Sequence, residues 1–325
     1  MPKAHITRRQ VRKAPAATII DEGWALQRIA GMEILTANVF DSVPGLVHGF
    51  STRKGGASRL NGVAALNLGF VDWDSREKVM GNRTAFVSAI SGARASSKLT
   101  PKIGSEKSLI TLRQIHSDVV HVFSKMRAEP SQGDAMLCGQ AGRLLGIQTA
   151  DCVPILLADP RLHIIAAVHA GWRGTLARIT AKTLGRMRLE FGTRAEDVIA
   201  ALGPAIGPCC YEVGPEVAQA FSGQFAQAAE WFEGPFERLA TGEEPNPLPW
   251  LTMMPPGHEP PPERVQLDLR AANRSQLVDA GLNPRNIAVS TLCTGCRTDL
   301  FFSYRKEGAA TGRMMSVIGL MPNSR

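Results

Sequence analysis

The stretch that decides the fold runs from Asp151 to Arg173 and reads DCVPILLADPRLHIIAAVHAGWR. Two apolar runs, Val153–Ala158 and His163–Val168, lie on either side of Asp159-Pro160-Arg161-Leu162. Asp at the first and Pro at the second position of that tetrad are turn chemistry, so the segment predicts an antiparallel hairpin. A two-residue loop would set Cys152 opposite His169, with Cβ atoms about 4.5–5.5 Å apart. A thiol facing an imidazole serves either a metal site or a Cys–His dyad, and a buried Cys beside a capping His is the plain structural alternative. Asp151, His169 and Arg173 gather polar groups at one end of apolar strands, the kind of rim on which sites are built.

Outward from the hairpin, further strand-like runs occur at Leu109–Leu112, Val119–Phe123, Leu144–Gln148, Ile199–Leu202, Ile287–Ser290, Leu300–Tyr304 and Met315–Leu320. Two segments have helical spacing. Gly174–Phe191 places Leu176, Ile179, Thr183 and Met187 on one face before Gly192, and Asp268–Ala280 has Asp268 as N-cap and Gly281 beyond its end. Short strands outnumber helices, so the expected class is α+β with much antiparallel pairing.

Composition narrows the setting. The chain has 325 residues, 44% of them apolar, which is ample for a core without disulfide staples. No uncharged apolar run approaches the roughly 20 residues of a membrane helix. Lys and Arg number 37 against 29 acids, a net +8, but Lys3, Arg8, Arg9, Arg12 and Lys13 carry +5 of it. The charge is therefore that of a basic tail, expected over residues 1–20, and it argues against a nucleic-acid partner. The sequence shows no secretory leader, so its six Cys are expected to be reduced thiols of a cytoplasmic protein. Residues 21–325 are expected to form a single domain. Within it, 235–264 holds nine of the 21 prolines and reads as a loop-like insertion.

Other residues bear on chemistry. His116, after a strand-like run, would complete a set of two His and one Cys, leaving a tetrahedral ion's fourth position open as in catalytic zinc sites. Spacing alone does not bring it to the pair. Gly55-Gly56 after Arg53 and Lys54 could cradle an anion with backbone N–H groups, or could be a plain turn. Cys293-Thr294-Gly295-Cys296 is a CxxC, but adjacent Cys209-Cys210 lacks the spacing of a second pair, so these four read as ordinary buried thiols.

Taken in order, these motifs resemble a known family. His48-Gly49-Phe50-Ser51-Thr52-Arg53-Lys54-Gly55-Gly56, Asn67-Leu68-Gly69, Asn82-Arg83, Gln114-Ile115-His116 and Gly133-Asp134-Ala135 come first. Thr149-Ala150-Asp151-Cys152-Val153-Pro154 and His169-Ala170-Gly171-Trp172-Arg173-Gly174 follow, and then Gly203-Pro204-Ala205-Ile206-Gly207 with Tyr211-Glu212-Val213-Gly214. Leu267-Asp268-Leu269, Phe302-Ser303-Tyr304-Arg305 and Gly312-Arg313 complete the set, which spans about residues 45–320 and is similar to the YfiH/YlmD family of laccase-domain, or multicopper polyphenol oxidase, proteins.

The resemblance implies a single-domain β-sandwich flanked by helices and related to a class of cysteine hydrolases. It implies metal ligands at His116, Cys152 and His169, with zinc as the metal and copper as the alternative. It also implies purine nucleoside chemistry: phosphorolysis of adenosine, inosine, guanosine or methylthioadenosine, and deamination of adenosine. The partners would be purine nucleosides and phosphate, and the protein a monomer or small homo-oligomer. Cys152, His169 and Asp151 are then the expected catalytic residues, with Asp151 as proton carrier or as an orienting acceptor. Arg53, Gly55, Gly56, Asn67, Gln114 and Arg173 are the expected substrate and phosphate contacts.

Two alternatives accompany this reading. One is a copper polyphenol oxidase, which the seven His and the absence of any His-x-His argue against. The other is a Cys–His hydrolase editing peptidoglycan precursors.

Overall fold

The computed structural model describes residues 18–94, 108–123, 131–234 and 265–321. The basic residues up to Lys13, the proline-rich stretch 235–264, His5 and His258 lie outside the described residues. The first described strand begins at Thr18, inside the stretch expected as tail.

The chain opens with an antiparallel meander of β1 (Thr18–Asp21), β2 (Trp24–Ile29), β3 (Met32–Ala37) and β4 (Leu46–Ser51). A small hairpin of β5 (Ser58–Leu60) and β6 (Val63–Ala65) leads into α1 (Arg76–Arg94). Next come β7 (Leu109–Thr111), β8 (Val120–Phe123), β9 (Ala135–Cys138) and β10 (Leu144–Thr149). The hairpin β11 (Val153–Asp159) and β12 (Ile164–Ala170) runs into α2 (Trp172–Leu176) and α3 (Ile179–Phe191). Then follow β13 (Ile199–Leu202), β14 (Glu212–Val213), α4 (Pro215–Gln224), β15 (Phe232–Glu233) and β16 (Val265–Leu267). The chain ends with α5 (Leu269–Asp279), β17 (Ile287–Val289), α6 (Tyr304–Glu307) and β18 (Met314–Leu320).

Two mixed sheets dominate, a seven-stranded one ordered β1-β2-β3-β4-β18-β10-β7 and a six-stranded one ordered β17-β13-β11-β12-β9-β8. They pack face to face. Trp24, Leu35, Phe50, Leu145, Ile147 and Ile318 of the first share one core with Met136, Leu156, Ile165, Ala167 and Ala201 of the second. The outer face of the second sheet is covered in turn. Its Leu137, Ile155, Leu157, Ala166 and Val168 meet Ile179, Leu184 and Met187 of α3 and Leu269, Ala272 and Leu277 of α5. On the other side, α1 lays Phe86, Val87 and Ile90 against Ile34, Val47, Met315 and Val317.

β11 and β12 are thus buried on both faces, and this is why they read as unbroken apolar runs instead of alternating ones. Each fully buried aliphatic side chain contributes about 1.5–3 kcal/mol. The pair therefore forms the most strongly anchored part of the six-stranded sheet, and the site hangs on its end. The α+β sandwich flanked by helices is the architecture expected from the sequence.

Details differ from expectation. The hairpin pairs Val153 with Ala170 and Pro154 with His169, so Cys152 is not directly opposite His169. The connection has four residues, because Asp159 Oδ1 accepts the N–H groups of Arg161 and Leu162 and His163 takes a left-handed φ of 56°. The shift is two residues along the ladder, so Cys152 and His169 remain on the same side and become diagonal neighbours. The helix expected over 174–191 is broken, since Arg178 at φ 61° separates α2 from α3. Leu300–Tyr304 is not a strand. Leu300 and Phe301 turn back onto the Arg297 carbonyl, and Phe301 and Phe302 enter the inter-sheet core. The Asp268 cap holds, its side chain accepting from the N–H groups of Arg270 and Ala271.

Candidate functional site

The site forms where three connections meet at one end of the six-stranded sheet. His169 lies near the end of β12, and Cys152 immediately precedes β11. His116 sits on the segment between β7 and β8, which passes from one sheet to the other. The ligand atoms of the three side chains all lie within 4.8 Å of one another, with Cys152 Sγ 3.9 Å from His116 Nε2. The two imidazoles meet edge to face at 4.9 Å between centroids. Gly171 leaves the room this needs, because a Cβ there would stand 3.0 Å from the His116 ring and 3.1 Å from Cys152 Sγ. One thiol and two imidazoles at this spacing can hold a metal ion with a coordination position to spare.

Asp134 is the residue that builds this geometry, and it is fully buried. The Nδ1–H of His169 donates to its Oδ1 at 2.8 Å, which leaves Nε2 as the ligand atom. The same carboxylate accepts the backbone N–H groups of Ile115, His116 and Ser117 and the Ser117 hydroxyl. One carboxylate thus orients one ligand and fixes the turn that carries another, in which His116 adopts a strained φ of 57°. Burial works to raise the Asp134 pKa, but His169 and the Ser117 N–H and hydroxyl outweigh it and lower it to about 2.

Burial likewise opposes ionisation of Cys152, yet the charge of His169 and the His116 hydrogen bond bring its thiol down to about 6. The reciprocal effect holds for His169. Burial disfavours its cation, while the Cys152 charge and Asp134 raise it to about 9. The pair is polarised toward thiolate, the form that ligates a metal or attacks as a nucleophile.

Asp151, the third expected catalytic residue, is buried with φ 90°. Its Oδ1 accepts from the Thr294 hydroxyl at 2.6 Å and its Oδ2 from the Arg305 N–H at 2.7 Å, so it clamps two distant segments to the ligand loop. Gln114 is paired by its amide to the N–H and C=O of Gln148 and extends β10 toward His116. Arg173 is exposed at the start of α2, stacked 4.3 Å over Trp172.

The Arg53 segment is built into the frame. Arg53 Nη1 donates to the carbonyls of Thr298 and Phe301 and to Glu307, and its guanidinium lies 4.6 Å over Phe302. Gly55 and Gly56 have φ of 90° and 78°, and a Cβ at either would strike a backbone oxygen at 2.7 Å. Asn67 Oδ1 accepts the Arg313 N–H, and Leu68 N–H donates to the Arg313 carbonyl.

Several residues at this site went unassigned in the sequence. Asp134 lay inside a quoted motif, but only the fold shows what it holds. Tyr211, Arg305 and Arg313 gather around the trio as well. Burial, then the Cys152 charge, raises Tyr211, while Arg305 and Arg173 counter it. Burial depresses Arg313, which senses Tyr304, Cys152 and Asp151. Arg305 lies 5.0 Å from the Tyr211 ring centre. An Arg within the motifs Ser303-Tyr304-Arg305 and Gly312-Arg313 was the available signal.

The cysteine expectation is corrected. Cys209, Cys210, Cys293 and Cys296 are not ordinary buried thiols, since Cys209 and Cys296 are exposed and all four sulfurs converge. The turn at Gly207–Tyr211 swings two adjacent thiols to one side, which sequence spacing does not reveal.

Fold and site together define an α+β sandwich protein whose rim presents three donors that could hold a metal ion. Residues 47–321 match the model of the multi-copper polyphenol oxidoreductase laccase family, and the chain belongs to that family. A Bacteroides thetaiotaomicron relative named purine nucleoside phosphorylase is 33% identical over 293 residues, covering 90% of this chain and 96% of its own. YlmD from Geobacillus stearothermophilus, also named a purine nucleoside phosphorylase, is 32% identical across 85% of this chain and 90% of its own. Its crystal structure aligns with a TM-score of 0.70 at 28% identity, covering 91% of this chain and 99% of that one. Adenosine deaminase RL5, from an unknown prokaryotic organism, is 31% identical over 84% of this chain and 93% of its own.

Proposed function

We propose that the chain is a zinc-dependent purine nucleoside enzyme. It phosphorolyses adenosine, inosine or guanosine to base and ribose 1-phosphate, and methylthioadenosine to adenine and 5-methylthioribose 1-phosphate, and it deaminates adenosine. The observation that carries the reading is the open three-donor cluster of His116, Cys152 and His169, within 4.8 Å, in a chain whose relatives bear those two enzyme names over most of their length. Zinc at these ligands supplies a Lewis acid that withdraws charge from the purine.

The protein's own residues do the rest. Asp134 holds His169 and the His116 turn in register, and Gln114 braces the same segment. Arg173, Arg305 and Arg313 form a cationic rim that receives phosphate and the charge of the departing base. Arg53, Gly55, Gly56 and Asn67 position that rim, since Asn67 grips the Arg313 backbone and Arg53 anchors the segment before Tyr304. Tyr211 stays protonated and is a hydrogen-bond donor to substrate. Both oxygens of Asp151 are engaged, which supports its orienting role over proton transfer.

Residues 21–325 act as one catalytic domain in this reading. The free thiols of all six cysteines support a reducing, cytoplasmic setting, and among the described residues no helix is long and apolar enough to cross a membrane.

Adenosine turnover with and without phosphate, on metal-quantified protein, tests the proposal. Phosphate-dependent adenine and phosphate-independent inosine are the expected products. Neither product from the fully metallated enzyme would overturn it. The polarised Cys152–His169 pair favours one second reading, a Cys–His hydrolase acting on an amide such as a peptidoglycan precursor. Amide hydrolysis by metal-free protein, with no nucleoside turnover, would select that reading.

A further inference from the structure

Four of the other five cysteines form a second cluster. Cys209 and Cys210 lie on the loop between β13 and β14, and Cys293 and Cys296 lie after β17. Their four Sγ atoms all fall within 4.8 Å of one another. Cys296 Sγ is 3.4 Å from Cys209 Sγ and 3.5 Å from Cys210 Sγ. Those separations are far beyond an S–S bond of about 2.05 Å. They approach the edge of a tetrahedron, about 3.8 Å, that four thiolates make around zinc at about 2.3 Å.

Two further observations point the same way. Cys293 Sγ accepts the Gly207 N–H at 3.1 Å. A backbone donor on the first sulfur of a CxxC is the kind of outer-shell partner found in metal sites. The space is also shaped by glycine. A Cβ on Gly295 would stand 2.9 Å from Cys210 Cβ and 3.0 Å from its Sγ, and one on Gly207 would stand 3.3 Å from Cys209 Sγ.

We propose that Cys209, Cys210, Cys293 and Cys296 bind a second ion, a structural Zn²⁺ in a closed four-thiolate site separate from the His116–Cys152–His169 centre. Four protein donors fill the tetrahedron, so the site has no position for substrate and its role is to cross-link. What it joins is specific. Thr294, inside the CxxC, donates to Asp151 beside the ligand Cys152, and Tyr211 directly follows Cys210. The ion therefore ties the 203–211 loop to the 293–305 segment at the back of the catalytic rim. Sulfurs this close together exclude a bridged iron pair, whose two thiolate pairs must stand further apart.

The test is metal stoichiometry of the full chain, purified under reducing conditions, and it does not depend on nucleoside turnover. Wild type should carry about two zinc ions, and the variant H116A/C152A about one. Adding C209S/C296S to that variant should remove the remaining ion. Cobalt(II) in the H116A/C152A protein should show sulfur-to-cobalt charge transfer and the strong d–d bands of a tetrahedral tetrathiolate.

If the serine variant does not fold, the wild-type chain still decides the matter. The four thiols should resist alkylation until a chelator is added. Three results would each overturn the proposal: an H116A/C152A protein free of zinc, iron in place of zinc, or a Cys209–Cys296 disulfide in metal-free protein whose thiols react at once.

Discussion

The two thiol clusters use the same chemistry at different coordination counts. At the rim, one sulfur and two imidazoles offer three donors, and His116 is exposed. Behind it, four sulfurs close on themselves, and one of them accepts a backbone N–H. The difference separates roles. Three donors backed by a buried carboxylate suit reactivity, and four donors at a loop junction suit rigidity.

Mutations can break this contrast, beginning with the largest effect. Cys152→Ala should remove the rim metal and lower nucleoside turnover at least about 10³-fold. The thermal midpoint should move little, because the residue lies at the end of the sheet, outside the packed core. Full turnover without metal would erase the distinction. Asp134→Asn should weaken metal binding at the rim about 10–100-fold while leaving the four-thiol cluster loaded, as read by competition with a chromogenic chelator.

Arg313→Ala should raise the phosphate KM about 10-fold with a smaller change in the nucleoside KM. Arg53→Ala should move phosphate KM in the same direction and by less, since it acts through the frame; equal changes in both substrates would deny the rim its phosphate role. C209S/C296S should have the reverse profile of Cys152→Ala, with a thermal midpoint lower by about 5–10 °C and turnover reduced only a few-fold. The smallest effect belongs to the link between the two regions. Thr294→Val, which removes one hydroxyl donor to Asp151, should cost about 1 kcal/mol of stability in denaturant unfolding and retain both metals.

What the sequence revealed followed from local physics. The β11–β12 hairpin announced itself through turn residues between apolar runs, and the Asp268 cap through its position before a periodic helix. Register failed by two residues because the loop length depends on Asp159 capping two amides and His163 turning left-handed, choices that Pro160 alone does not settle. The run Leu300–Tyr304 has strand composition, but its phenylalanines plug the space between sheets, and a core plug and a strand share the same residue types.

Site legibility divides in the same way. His116 could be nominated as a third donor from its place after a strand-like run, but its approach to Cys152 and His169 was not legible, as it depends on Asp134 holding three consecutive amides. The cysteine cluster was missed for a related reason. Cys209 and Cys296 are 87 residues apart, and the pairing becomes visible only when the parallel neighbours β13 and β17 bring their following loops together.

One feature of the sandwich has a mechanical side. Residues 112–119 step from the edge of one sheet to the edge of the other, carrying His116, and residues 150–152 step from β10 of the first sheet to β11 of the second, carrying Cys152, while His169 lies within β12 of the second. Any slide or spreading of one layer over the other therefore changes the bite of the ligands before it disrupts the ladders. Metal affinity should then report strain in the interior, and a core substitution such as Ile147→Ala, which removes no ligand, should lower it in a chelator competition.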